Sequence, residues 1–154
     1  MSLARMPLIV AALGVALLLP SCSSASAMSD EALEECTAVA SSAGTIGGSS
    51  TLLPGVVRWL PEGFPDTEGM SPDETDVAYN ESFEEAFGIG TDDFLELRVD
   101  ADEATTARIG EPPGAGEMAG DEWFIERDAE LMRLWNDRYP ESAGLFCDLV
   151  ASGG

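Results

Sequence analysis

Asp121-Glu-Trp-Phe-Ile-Glu-Arg-Asp-Ala-Glu-Leu-Met-Arg-Leu-Trp-Asn-Asp-Arg138, followed by Tyr139-Pro140, is the stretch whose reading decides the fold. Phe124, Leu131, Leu134 and Trp135 fall on one face at helical spacing, and Ile125 and Met132 widen that face. Proline removes a backbone donor and disfavours helical geometry in the residue before it, so Pro140 ends this helix. The same residue suits the first turn of a new helix, where its missing N–H costs nothing. Leu145, Phe146, Leu149 and Val150 then form a final amphipathic stretch that carries Cys147. The C-terminal third therefore reads as two consecutive helices.

Working towards the N-terminus, the strongest local signal is Ser71-Pro72-Asp73-Glu74. Ser71 at the cap, Pro72 in the first turn and Glu74 three residues after the cap make a capping box. The helix it opens carries Tyr79, Phe83, Ala86 and Phe87 as one apolar stripe, and Gly88 stands where a left-handed residue ends it. Ser29 reads as the cap of an earlier helix, with Asp30 and Glu31 at its positive end. Met28 and Leu33 are spaced as a hydrophobic staple, and Leu33, Cys36, Thr37 and Ala40 turn inward. Two segments are less decided. Val56 to Leu60, bracketed by Pro54 and Pro61, reads as a short strand or buried extended piece. Phe94 to Val99 alternates Leu95, Leu97 and Val99 against Glu96 and Arg98, a strand pattern, with a helical reading left open. Asp100-x-x-Glu103 resembles a second capping box, for a helix ending near Ile109 and Gly110. Residues 41–50, 61–69 and 111–120, rich in Gly, Ser and Pro, read as loops.

The first 22 residues specify an address. One charge, Arg5, precedes a 12-residue apolar run from Leu8 to Leu19. That is the layout of a signal peptide, and the run is shorter than the ~20 residues that span a bilayer. It ends Leu19-Pro20-Ser21-Cys22, and this ending resembles the lipobox of bacterial lipoproteins. The resemblance covers residues 1–22 only. It implies cleavage before Cys22, a diacylglycerol on the Cys22 thiol and a fatty acyl group, palmitate among them, on the new N-terminus. The chain then divides into a signal peptide (1–21), a lipidated cysteine with a short tether (22–28) and one acidic globular domain (29–154), long enough to bury a core of its own. The expected location is the cell membrane, lipid-anchored on its extracytoplasmic face.

In an exported chain, the two cysteines that remain, Cys36 and Cys147, read as a disulfide. A loop that long stabilises by ~4–5 kcal/mol in the chain-entropy picture. The expected fold class is therefore mainly α: four or five helices, at most one or two short strands, and the N- and C-terminal helices joined by a disulfide.

Composition narrows the chemistry. There are 29 Asp and Glu against 7 Arg, with neither Lys nor His, for a net charge of −22. Loss of Arg5 makes the domain one unit more negative. Nucleic acid and anionic membrane surfaces are disfavoured partners, because each phosphate is repelled. Without histidine there is no Ser-His-Asp or Cys-His set and no His-ligated zinc. Without lysine there is no Ser-x-x-Lys, and no glycine-rich phosphate loop is present. Acids cluster at Asp73-Glu74-x-Asp76, Asp92-Asp93 and Asp100-x-Asp102-Glu103, where a hard cation would find oxygen ligands. Asp100-x-Asp102 begins like an EF-hand loop, but Ala104 and Thr105 fill the positions of its third acid and its glycine. These acids read instead as helix caps and dipole partners. Among Trp59, Trp123, Trp135 and Tyr139, Trp135 reads as core, with Trp59 and Trp123 the better candidates for an exposed binding face.

No catalytic residue, metal ligand or cofactor is expected on this reading. The expectation is a lipid-anchored binding module of the cell envelope, held to the membrane through Cys22, whose partner is a basic protein or another envelope component. The alternatives are a carboxylate- or cation-dependent cell-wall hydrolase and a phage- or plasmid-type exclusion lipoprotein.

Overall fold

Helix starts follow from their caps. In the computed structural model, which describes residues 26–48, 55–114 and 122–153, α1 (Asp30–Ser42) begins at Ser29, whose Oγ accepts from the Ala32 amide. A 3-10 turn (Gly55–Trp59) follows. The second helix, α2 (Pro72–Phe87), opens on the full capping box: Ser71 Oγ accepts from the Glu74 amide, and the Glu74 carboxylate accepts from the Ser71 amide at 2.8 Å. Gly88 closes it with φ 73°. Next come α3 (Thr91–Ile109), α4 (Glu122–Arg138) and α5 (Pro140–Ser152), the last opened by Pro140.

Among the described residues there are five helices and no strand, so the mainly helical class holds and both undecided segments resolve as turns of helix. Phe94–Val99 lies inside α3. Its two-residue alternation lasts only six residues. The three- and four-residue rhythm of Phe94, Leu97, Arg98, Ala101 and Thr105 runs through it and supplies the buried face. Val99, expected inside, is 54 % exposed. Asp100 is accordingly mid-helix and caps nothing. The real cap of α3 comes from another element: Gly90 has no side chain to offer, and Asn80 of α2 accepts from both the Thr91 amide (2.9 Å) and its hydroxyl (2.8 Å). Val56 to Trp59 lie in the 3-10 turn, with Leu60 just beyond it. The Val56 amide donates to the Ile46 carbonyl at 2.9 Å, and a Cβ at Gly55 would lie 1.8 Å from the Thr45 carbonyl oxygen. Only glycine admits that approach.

The helix α4 is the hub, packing against α1, α3 and α5, while α2 closes over α3 and α5. One half of its buried face is aromatic. Trp135 stacks on Phe146 with centroids 5.1 Å apart and meets Phe94 and Phe87 edge-on at 5.0 and 6.1 Å; Phe83 extends the set towards α2. These rings are fully buried. The Trp135 indole donates to Ser142 Oγ at 2.9 Å, so the largest core side chain keeps its polar atom satisfied. A disulfide between Cys36 and Cys147 joins α1 to α5, with the Cα atoms 5.5 Å apart. Asn136 of α4 holds the entrance of the domain: its side chain accepts from the Met28 amide (2.9 Å) and donates to the Met28 carbonyl (3.2 Å).

Candidate functional site

The densest polar cluster lies in the other half of α4. Arg127 and Asp128 are each 1 % exposed. They sit on the stripe defined by Trp123, Leu131, Met132 and Trp135, so the helix drives two charges into the interior. Such burial is tolerated only when each charge is paired and hydrogen-bonded. Asp128 accepts from the Ile46 amide (2.8 Å), the Gly47 amide (3.2 Å), Ser41 Oγ (3.2 Å) and Arg127 Nε (3.1 Å). The Arg127 guanidinium also donates to Asp102 of α3 (3.1 Å) and to the Gly48 carbonyl (2.9 Å). It sits 5.4 and 5.9 Å from the rings of Phe124 and Trp123, in cation–π reach. A Cβ at Gly47 would come within 2.9 Å of Arg127 Cζ, so the loop backbone presses directly on the guanidinium. Arg98 of α3 approaches Asp102 at 3.9 Å. Burial, then the nearby Arg127 charge, lowers its pKa; Asp102 and Asp128 oppose that shift.

Chemically this cluster is closed. The Asp128 oxygens are filled by four donors, and Arg127 spends its nitrogens on two carboxylates and a carbonyl. The arrangement fastens residues 41–48 and α3 to α4. Sequence reading missed it. The signal was an adjacent Arg-Asp pair lying in phase with Trp123, Leu131 and Trp135 rather than with the Phe124 and Ile125 face chosen above, and Ile125 is in fact 54 % exposed.

The residues singled out from sequence are scattered. Cys22 lies outside the described residues. Cys36 and Cys147 are joined. Asp73 and Glu74 occupy the first turn of α2, and Asp92 and Asp93 that of α3. The Glu74 pKa is lowered chiefly by the Ser71 amide bond, then by the Ser71 hydroxyl. Asp100 pairs with Arg138 and Asp102 with Arg127, which joins α3 to α4. Among the described residues no three acidic or cysteine side chains converge to hold a metal ion. Trp135 is core as expected, but Trp123 is not exposed: it is 6 % accessible and donates to the Gly110 carbonyl at 2.9 Å. Trp59 is half-buried, edge-on to Phe146, and Tyr139 is half-buried against the core.

An open concavity of about 480 Å³ runs between α1 and α4. Contacts from Met28 to Asn136 at one end and from Ser41 to Asp128 at the other make the two helices antiparallel. Leu33, Ala38, Ile125 and Ala129 line it, with Asp30 and Glu34 on one rim and Arg133 on the other. Arg133 is already engaged, by Glu130 at 2.6 Å and Asp137 at 2.9 Å. That embrace raises the Arg133 pKa and lowers that of Glu130, whose largest cause is the Arg133 hydrogen bond.

No protein-family model matches the sequence, and no curated protein or solved structure is significantly similar to it. No helix among the described residues is long and apolar enough to cross a membrane.

Proposed function

We propose that the protein is a lipid-anchored binding module on the extracytoplasmic face of the cell membrane, attached through Cys22, and that it works by holding a partner rather than by transforming a substrate. The observation that carries the first half is the signal-peptide layout ending in Leu19-Pro20-Ser21-Cys22. The second half is supported by how the polar side chains are used. Its buried charges, Arg127 and Asp128, are consumed by one another, by the partly exposed Asp102 and by loop backbone. Its surface offers apolar concavities edged with acids, such as the α1–α4 groove.

The tether fits this reading. From Cys22 to Met28 is six residues, at most about 20 Å extended. Met28 is clasped by Asn136, so the lipid would hold the domain close to the leaflet. The acidic surface keeps it from lying flat on anionic lipid, by a repulsion screened over ~8 Å at physiological salt.

Fractionation of cells tests the anchor. The native chain is expected in the membrane fraction and released by detergent, and Cys22→Ser is expected to move it to the soluble fraction. A native chain found soluble, or a Cys22→Ser variant that stays with the membrane, contradicts the reading. Recovery of no partner from membranes in moderate salt, with normal growth after deletion of the protein, contradicts the binding role.

A further inference from the structure

We propose that the groove between α1 and α4 is the docking surface for a cationic amphipathic helix. The inference rests on the binding-module reading and gives that reading a place on the molecule. Both walls of the groove are helices whose main-chain groups are spent internally, so an extended strand finds no free edge to pair with. Recognition must come from side chains, and the lining is suited to apolar ones. Ala38 and Ala129 keep the two walls low, Leu33 forms the floor, and Ile125 stands 54 % exposed at the lip. From Asp30 to Ser41 the groove follows α1 for about 17 Å at 1.5 Å per residue, the length of three helical turns. That accommodates anchors at i, i+3 or i+4, and i+7 of an incoming helix.

Charge selects the occupant. The α1 sequence has no basic residue, and it sets like charges at four-residue spacing, Asp30 with Glu34 and Glu31 with Glu35. Such pairs repel. Asp30 and Glu34 stand on the groove rim and make no ion pair among the described residues. The one cation of the lining, Arg133, is held by two carboxylates of its own helix. The groove is thus an apolar strip beside uncompensated negative charge. Its complement is a helix with a leucine-type stripe flanked by Lys or Arg. A second copy of this chain would bring acid against acid, and anionic lipid headgroups would be repelled in the same way.

The test is fluorescence anisotropy of a labelled peptide added to the full chain in phosphatidylcholine nanodiscs, with empty nanodiscs subtracted. The probe is a peptide of about 15 residues built from Leu and Lys at helical spacing; its control has the same residues in an order without a stripe. The striped peptide is expected to bind at least about tenfold more tightly than the control. Ile125→Gln and Ala129→Trp are expected to abolish that difference, and Asp30→Asn with Glu34→Gln to weaken binding and reduce its salt dependence. Asp73→Asn with Asp76→Asn makes the same change of charge on α2 and is expected to leave binding intact. Circular dichroism checks that each variant is folded, and Ile125→Gln decides if Ala129→Trp is not. Equal binding of the two peptides, equal weakening by the α2 variant, or no binding overturns the groove assignment. So does a dimer in size-exclusion chromatography with light scattering that Ile125→Gln dissolves, which would give the groove to a second copy. None of these results alters the recovery of a partner from membranes in moderate salt, so the groove can fail while the binding-module reading stands.

Discussion

The two halves of α4 are buried by opposite means. Around Trp135 the contacts are rings: Phe87, Phe94 and Phe146 surround the indole within 6.1 Å, and the Cys36–Cys147 disulfide ties the middle of α1 to the middle of α5. Around Arg127 and Asp128, two turns earlier, the contacts are directional bonds to a Ser- and Gly-rich loop and to α3. Apolar burial scales with area and is non-directional, so it tolerates swaps that conserve volume. A buried carboxylate facing two amides has no such latitude, because each donor it abandons is left unpaired away from water. The aromatic half holds the helices together; the charged half specifies where a Ser- and Gly-rich loop, which sends Ile46 into the core, must lie.

The largest effect that would break this contrast is at Asp128. Replacing Asp128 by Ala leaves Arg127 and the Ile46 and Gly47 amides without their shared acceptor, and should destabilise by about 3–5 kcal/mol in urea unfolding. A paired replacement sharpens the point. Where a buried ion pair serves only itself, swapping both partners for apolar residues is often harmless. Here Arg127→Met with Asp128→Leu should remain destabilised, because the loop amides still lack an acceptor; recovery of native stability would show that the loop is not what the pair holds.

The disulfide comes next. Cys36→Ala with Cys147→Ala is expected to cost about 2–5 kcal/mol through the freedom returned to the unfolded chain, while leaving the helical circular dichroism signal in place. A loss of folded signal in native buffer would mean that the aromatic core is insufficient without it. A smaller effect probes the tolerance of the aromatic half: Met132, fully buried, should accept leucine at under about 1.5 kcal/mol. A cost matching that of Asp128→Ala would erase the contrast.

The smallest effect concerns pH. Glu130 has its folded pKa lowered, first by the Arg133 hydrogen bond. A lowered carboxylate pKa adds stability above its unfolded value, and that contribution is lost as pH falls through the folded value. Glu130→Gln should therefore lower the melting temperature slightly at neutral pH and not at strongly acidic pH. A deficit that persists in acid would assign its cause to packing.

How much of this was visible in the residues differs by element. The starts of α1, α2 and α5 were written in Ser29, in Ser71-Pro72-Asp73-Glu74 and in Pro140, because caps and proline act locally. The unity of α3 was hidden. Leu95, Leu97 and Val99 imitate a strand and Asp100-x-x-Glu103 imitates a cap, while the true cap, Asn80, belongs to α2 and reaches Thr91 only through the fold. The Arg127–Asp128 centre was hidden for the same reason on a larger scale: its acceptors and donors at residues 46–48 lie about eighty positions away, in a loop whose sequence advertises only flexibility. The groove could not be read either, since it needs α1 and α4 side by side. Cys36 and Cys147 paired as expected because, once Cys22 is read as the lipid site, two cysteines allow a single pairing.

The most direct measurement is the intact mass of the protein extracted from membranes, before and after reduction and thiol labelling. The account predicts residues 22–154 plus lipid, with no labelled thiol until reduction and two thereafter. A mass without lipid, or thiols labelled without reduction, would contradict it.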